Sequence, residues 1–360
     1  MKKFIFSALA AIGLLLSPSC SDENEVLSGS DNEALVSFNV QLAGGIQTKT
    51  DDTQTSLGNG RKANMLYVKV YEYTADNTSG TYIPGLDQEV PVNDLSATVK
   101  VTLVKGKQYN FLFWAQHEEE GWVNPYSIDE NGTITVTYGL SNDEKRDAFV
   151  GTKTGYIVST SATENVELTR PFAQLNFLTT SDDIKSAAKA GIVEDASTSV
   201  TLQTSVTIPN VATTYNPFTG EIGGGENVTT TFFANTAMFN FSYSVQGGIE
   251  SYSLLISNDP GSVESTVKLS STDTETYYVL ATNYFLVNPA NASGTNGSTL
   301  LSTAKLKIAN SHYPGLEVTN VPVKMNHRTN IYGALLSVTG NINVSVEAGF
   351  SGTHTKDGEE

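Results

Sequence analysis

The chain has 360 residues, 38 acidic against 21 basic, for a formal charge of −17. A charge of that sign and size argues against a nucleic-acid partner, because gripping a phosphate backbone needs clustered Lys and Arg. A single cysteine provides neither a disulfide framework nor a thiolate metal site, and the length is enough to build two domains.

The chain opens with Lys2 and Lys3, then thirteen apolar or small residues from Phe4 to Leu16. That run is too short for a bilayer span, which takes about 20 residues, and suits the middle of a secretion signal. Ser17, Pro18 and Ser19 lead into Cys20, the lone thiol. Cys20 is read as a lipidation site, with residues 1–19 as the signal peptide. The segment resembles a bacterial lipobox, although Leu16 stands one place early and Ser17 holds the position where Leu is usual. The alternative is a signal cut near Ser19 that leaves an idle thiol. Residues 20–33 continue as SDENEVLSGSDNE after the cysteine, acidic and poor in apolar groups, and are expected to be a flexible tether. Serine and then acids directly behind the cysteine also resemble the surface-export signal of Bacteroidota lipoproteins. Loss of the two leader lysines takes the charge to −19.

Beyond the tether most segments alternate apolar and polar residues and are rich in Thr, Val, Tyr and Phe. This is the pattern of antiparallel sheet with one buried face. Strands are expected at Leu35–Leu42 (LVSFNVQL), Met65–Tyr73 (MLYVKVYEY), Ser96–Val104 (SATVKVTLV) and Thr133–Leu140 (TITVTYGL). A helix is predicted at SDDIKSAAKAG, with Ser181 as cap, Asp182 and Asp183 at its positive end and Gly191 as stop. Ile184, Ala187 and Ala188 form its short apolar face. Further strands are expected at Ser199–Ile208, Thr276–Val287 and Asn341–Phe350. Short strands at this spacing predict an all-β chain of two tandem β-sandwiches, with a short helix in the second. The expected division is 34–169 and 170–350, set where NVELTR meets PFAQLNF at Arg170, followed by a polar tail, 351–360.

Few residues point to chemistry. His117, His312, His327 and His354 share no ligand spacing, and HEEEGW at His117 lacks the second histidine of a metalloprotease helix. The acidic run there is read as a solvated loop. GEIGGGE (Gly220–Glu226) follows a turn and opens no helix, so it is not a phosphate cradle. No Gly-x-Ser-x-Gly elbow occurs. Asp182 and Asp183 are explained by the helix start, and Asn-x-Ser/Thr triplets such as those at Asn131, Asn227 and Asn291 are read as turns. No enzyme, cofactor or metal site is expected. Trp122, Asn124 and Tyr126 lie in a polar loop and could stack on a sugar, or Trp122 could simply anchor the loop on its own sheet.

Several stretches together resemble the fimbrillin-like lipoproteins of Bacteroidales, the type V pilin group. They are ALVSFNVQL, NMLYVKVYEY, YNFLFWAQ (Tyr109–Gln116), RDAFVGT (Arg146–Thr152), RPFAQLNF (Arg170–Phe177), TYYVLATNYFLV and NHRTNIYGALL (Asn326–Leu336). They run from about Ala34 to Phe350. The resemblance implies two tandem β-sandwiches, the first transthyretin-like, in a lipid-anchored subunit at the outer membrane surface. It implies other fimbrial subunits as partners, and a host or bacterial surface ligand. It further implies removal of the first strand by a protease and its replacement by a C-terminal strand of the next subunit. The displaced strand would present Val36, Phe38, Val40 and Leu42. The best-matched donor is Ile342, Val344, Val346, Ala348 and Phe350. Alternation is equally what two ordinary sheet members would show. The family's cut follows an arginine; here the matching place reads GIQTKTDD, with Lys49, while Arg61 in GNGRKAN lies nearer the next strand. Either another protease acts, or the subunit stays uncut at its anchor. The alternative function is a non-polymerising outer-membrane lipoprotein that binds glycan through loops.

Overall fold

A computed structural model describes residues 32–43, 57–58, 60–190, 200–234, 239–256, 266–269, 274–309, 312–337 and 341–347. In the first half the strands are β1 (Glu33–Leu42), β2 (Met65–Thr74), β3 (Asn77–Tyr82), β4 (Gln88–Pro91), β5 (Ser96–Val104) and β6 (Gln108–Gln116). They continue as β7 (Tyr126–Ile128), β8 (Ile134–Val136), β9 (Leu140–Ser141), β10 (Phe149–Ile157) and β11 (Ala162–Leu168). One sheet has the order β11-β1-β5, with β1 parallel to β11 and antiparallel to β5. The facing sheet runs β10-β6-β2, with β3 and β4 both paired to β2. Because side chains alternate along a strand, every second residue of β1, β2 and β5 enters the space between the sheets. There Val36, Phe38, Val68, Val70, Val99, Val101, Phe111 and Phe113 form the core.

The second half holds β12 (Ala173–Thr180), α1 (Ser181–Lys189), β13 (Val200–Pro209), β14 (Thr214–Asn216), β15 (Glu221–Gly223), β16 (Thr229–Ala234), β17 (Phe239–Gln246) and β18 (Ile249–Ile256). It ends with β19 (Thr266–Val267), β20 (Tyr277–Phe285), β21 (Ala292–Ser293), β22 (Thr299–Ala309), β23 (Leu316–Val323), β24 (Arg328–Gly333) and β25 (Ile342–Glu347). One sheet is β19-β20-β12-β24-β25; the other is built around β13, which pairs with β16, β17 and β22. Leu175, Phe177, Val206, Phe232, Leu280, Phe285, Leu306 and Ile331 fill the space between them. The chain is thus all-β with one short helix, as the alternation predicts. Among the described residues no helix is long and apolar enough to cross a membrane.

The two sandwiches meet on a third apolar cluster. Tyr71, Leu112, Trp114 and Val150 project from the outer face of the β10-β6-β2 sheet and pack with Tyr126, Ile134, Val136, Phe172, Ala212, Tyr284 and Leu286. Strand pairing also crosses from one half to the other: β8 joins β14, and β9 runs parallel to β16. β6 is therefore buried on both faces, which is why YNFLFWAQ reads as a nearly continuous apolar run.

Two local expectations are corrected. Thr133–Leu140 is not one strand: β8 pairs with β7 and β14, after which the chain changes sheets so that β9 meets β16. The helix is capped by Thr180 and not by Ser181, because the Thr180 hydroxyl accepts the amide of Asp183 at 3.2 Å. Gly191 lies outside the described residues. Asp183 itself does more than favour the helix start. It is buried, and its two oxygens accept the Leu336 amide (2.7 Å) and the amide and hydroxyl of Ser337 (3.0 and 2.5 Å). The turn that follows β24 is pinned by it.

Candidate assembly site

β1 occupies the middle of its sheet. Val36 faces Val101 on one side and Ala162 on the other, and Phe38 lies between Val99 and Glu164. Ala34, Val36, Phe38, Val40 and Leu42 share the core face, none more than 2% exposed. The Phe38 ring stands 4.7 Å from that of Phe111 and 5.3 Å from that of Phe113. Ser37, Asn39 and Gln41 take the outer face, where Asn39 donates to the Asn165 side chain at 3.3 Å. Withdrawing β1 would break two ladders at once and leave a slot floored by Phe111 and Phe113 and walled by Val99, Val101, Val166 and Leu168.

β25 is the reverse case. It lies at the edge of its sheet, antiparallel to β24 from Arg328↔Glu347 to Gly333↔Ile342. Ile342 packs against the second core, but Val344 and Val346 are 40% and 39% exposed. Its polar face is the one that is held. Glu347 accepts from Arg328 Nη1 at 2.9 Å and from the Asn330 amide. Ala348 and Phe350 lie outside the described residues.

In the connection from β1 to β2, Leu57 and Gly58, the first described residues after Ala43, lie against both halves of the chain. Leu57 is buried among Leu178, Val267 and Val279. Its carbonyl accepts from Arg328 Nη2. The Gly58 amide donates to Glu144 Oε2 at 2.8 Å, and the Gly58 carbonyl accepts from Arg170 at 2.5 Å. Gly60 has φ +74, and a Cβ there would meet the Phe149 ring at 2.6 Å, so only glycine fits. Arg61 follows in an exposed turn, while Cys20 and Lys49 lie outside the described residues.

Behind this connection sits a buried set of charges. Arg170 and Asp147 are almost wholly excluded from solvent and form a two-pronged pair at 2.7 and 2.8 Å. The guanidinium also donates to the Ala43 carbonyl at 3.2 Å and lies 4.4 Å from the centre of the Phe149 ring. Burial, reinforced by Asp147, pushes the Glu144 carboxyl up to about 7, and the Tyr284 hydroxyl donates to it at 2.8 Å. Burial raises Tyr284 well above its ordinary range. Gln174 donates to Tyr284 Oη at 2.7 Å and accepts from Arg328 Nε at 2.8 Å. Sequence reasoning used Arg170 only as a boundary marker and missed Glu144, Asp147 and Arg328. The sequence shows only an arginine at or just before the start of a strand, in RPFAQLNF and again in NHRTNIYG, with nothing local to name its partner.

The loop trio does not form a stacking platform. Tyr126 is buried, its hydroxyl donates to the Arg146 carbonyl, and its ring stacks on Phe172 at 5.8 Å, contrary to the expectation of an exposed aromatic. Asn124 accepts the Tyr126 amide at 2.9 Å, and Trp122 lies edge-on to His117 at 5.1 Å. His117 is itself buried, with Nδ1 at 2.9 Å from the Lys62 carbonyl and Nε2 at 3.1 Å from Glu119. His117 is thus fixed to the protein, while Glu119 and Glu120 just after it are exposed, as expected of a solvated acidic loop. Among the described residues no three His, Cys, Asp or Glu side chains gather as a metal site.

No curated protein matches this sequence. Among solved structures the chain is similar to a fimbrial assembly protein from Parabacteroides distasonis ATCC 8503, at 14% identity and a TM-score of 0.34, over 88% of this chain and 96% of that one. It is also similar to a candidate adhesin from Bacteroides thetaiotaomicron VPI-5482, at 12% identity and a TM-score of 0.45, over 87% and 96% of the two chains. A candidate cell adhesion protein from Bacteroides uniformis ATCC 8492 aligns at 12% identity and a TM-score of 0.42, over 89% and 98%. One family model spans residues 28–360, hence every strand described above, and it is described as a family of unknown function, DUF6562. The chain belongs to that family.

Proposed function

We propose that the chain is a surface-exposed lipoprotein, held at the outer membrane through Cys20, that serves as a structural or anchoring subunit of a fimbria. Subunits join by strand exchange: β1 is removed, and β25 of a neighbour enters the slot. The observation that carries this reading is the contrast between the two strands. β1 has a wholly buried apolar face at the centre of a sheet, and β25 has an exposed one, Val344 and Val346, at an edge. An edge strand with an apolar face is a liability in a monomer and an asset in a polymer.

The energy is adequate. Four large apolar side chains entering a core contribute about 1.5–3 kcal/mol each, or roughly 6–12 kcal/mol per joint. That matches the stability of a whole domain. The test is a denaturing gel of surface material without boiling, followed by mass spectrometry of subunit N-termini. Strand-exchanged polymer gives a boiling-sensitive ladder of subunits that begin after Lys49 or Arg61. A single band with an intact lipidated Cys20 in every molecule contradicts the proposal.

A further inference from the structure

The polar groups between the sandwiches form a connected chain that starts at the β1–β2 connection and ends on β25. Leu57 plugs a socket on the outer face of the sheet that contains β24, packed on Leu178, Val267 and Val279 with Tyr277 and Tyr332 beside it. Its carbonyl orients Arg328, whose Nε is fixed by Gln174 and whose Nη1 reaches Glu347 on β25. Arg328 and Glu347 are 13% and 17% exposed, so the pair is sheltered. Among the described residues β25 is otherwise held by one neighbouring strand, the Asn330 hydrogen bond to Glu347 and the packing of Ile342, with Val344 and Val346 exposed.

We propose that Leu57 and Gly58 are a strap that holds β25 in place through Arg328, and that cutting the chain on the C-terminal side of the strap loosens β25. Its purpose rests on the strand-exchange reading above; its physics does not. A cut after Arg61 leaves Leu57 and Gly58 on the departing β1 piece. Arg328 then loses the Leu57 carbonyl, the socket beside Tyr332 opens, and water reaches the Arg328–Glu347 pair, reducing it to the small worth of a surface ion pair. A cut after Lys49 leaves the strap attached to the body of the subunit. The two candidate sites therefore differ in consequence: cutting at Arg61 frees the acceptor slot and the donor strand in one event.

Hydrogen–deuterium exchange of the intact full-length chain tests this directly. Leu57→Ser should speed exchange of amides 342–347 about tenfold, the size of a typical coupling between sites, with β6 amides unchanged. Coupling is reciprocal, so Glu347→Gln, a mild change on an edge strand, should in turn speed exchange of the 57–62 segment. Unchanged β25 exchange in Leu57→Ser with β6 still protected overturns the strap, as does an effect of Glu347→Gln confined to β25. A chain that polymerises while showing no such coupling overturns the strap and leaves strand exchange standing. Coupled exchange in a chain that never polymerises supports the strap and removes the proposed function.

Discussion

Arg170 grips Asp147 through two parallel hydrogen bonds, 2.7 and 2.8 Å long, with neither side chain in contact with solvent. Removing one partner of such a pair strands the other as an uncompensated buried charge. Asp147→Ala is therefore expected to destabilise the chain by about 3–5 kcal/mol, read as a fall in the denaturant midpoint. The paired change Arg170→Met with Asp147→Leu should cost clearly less than the single variant. Equal losses would show that packing around Phe149, and not charge, governs the site.

The Glu144 carboxyl sets a pH dependence. Its ordinary value is 4.5, and burial raises it to about 7 in the folded chain. Between those values the folded state keeps a proton that the unfolded state has released, so stability falls as pH rises from about 4.5 to about 7. The contribution lost is of order 3 kcal/mol. Glu144→Gln is neutral at every pH and can still accept from Gly58, so it should flatten this window. Unfolding curves from pH 4 to pH 8 for both chains measure the difference; parallel slopes would exclude Glu144 as its source.

Because Val344 and Val346 are exposed in the folded chain, aspartate at both places should change its stability by no more than about 0.5 kcal/mol each. In the slot vacated by β1, the same charges would be buried without partners, which is prohibitive. Val344→Asp with Val346→Asp is thus expected to give folded, lipidated subunits that do not assemble. Native gels and circular dichroism read the two halves of this expectation. Normal polymer from the double variant would place the donor elsewhere.

Lipidation rests on the apolar run from Phe4 to Leu16 and the lone Cys20 behind it. Cys20→Ala should abolish fatty-acid labelling and release the protein from the membrane fraction. Labelling that persists in the variant rules Cys20 out as the anchor.

Legibility in the sequence followed locality. β1 and β5 were readable because one face is buried and the other wet, so alternation alone places Val36, Phe38, Val99 and Val101. Alternation could not reveal that the stretch from Thr133 to Leu140 changes partners midway, because the partners, β14 and β16, lie some distance along the chain. Tyr126 misled for a related reason. It lies between two acidic stretches, Glu118–Glu120 and Asp129–Glu130, while its ring is aimed at Trp114 and Phe172. The charged network was invisible because its members are remote from one another: Arg328 reaches back 271 residues to Leu57. No local pattern marks a buried arginine as paired.

The third apolar cluster, where Trp114, Tyr126 and Phe172 interlock across the two sandwiches, has a mechanical consequence. A chain joined at its waist by interlocked aromatics and by strand pairing that crosses from one half to the other would carry load across that waist as a single stiff segment. In a filament of such segments, compliance would be confined to the junctions where one subunit's terminal strand is seated in the next. Bending stiffness would then be set by how firmly β25 is gripped at each junction, and single changes such as Glu347→Gln would soften the whole filament without altering the segments between.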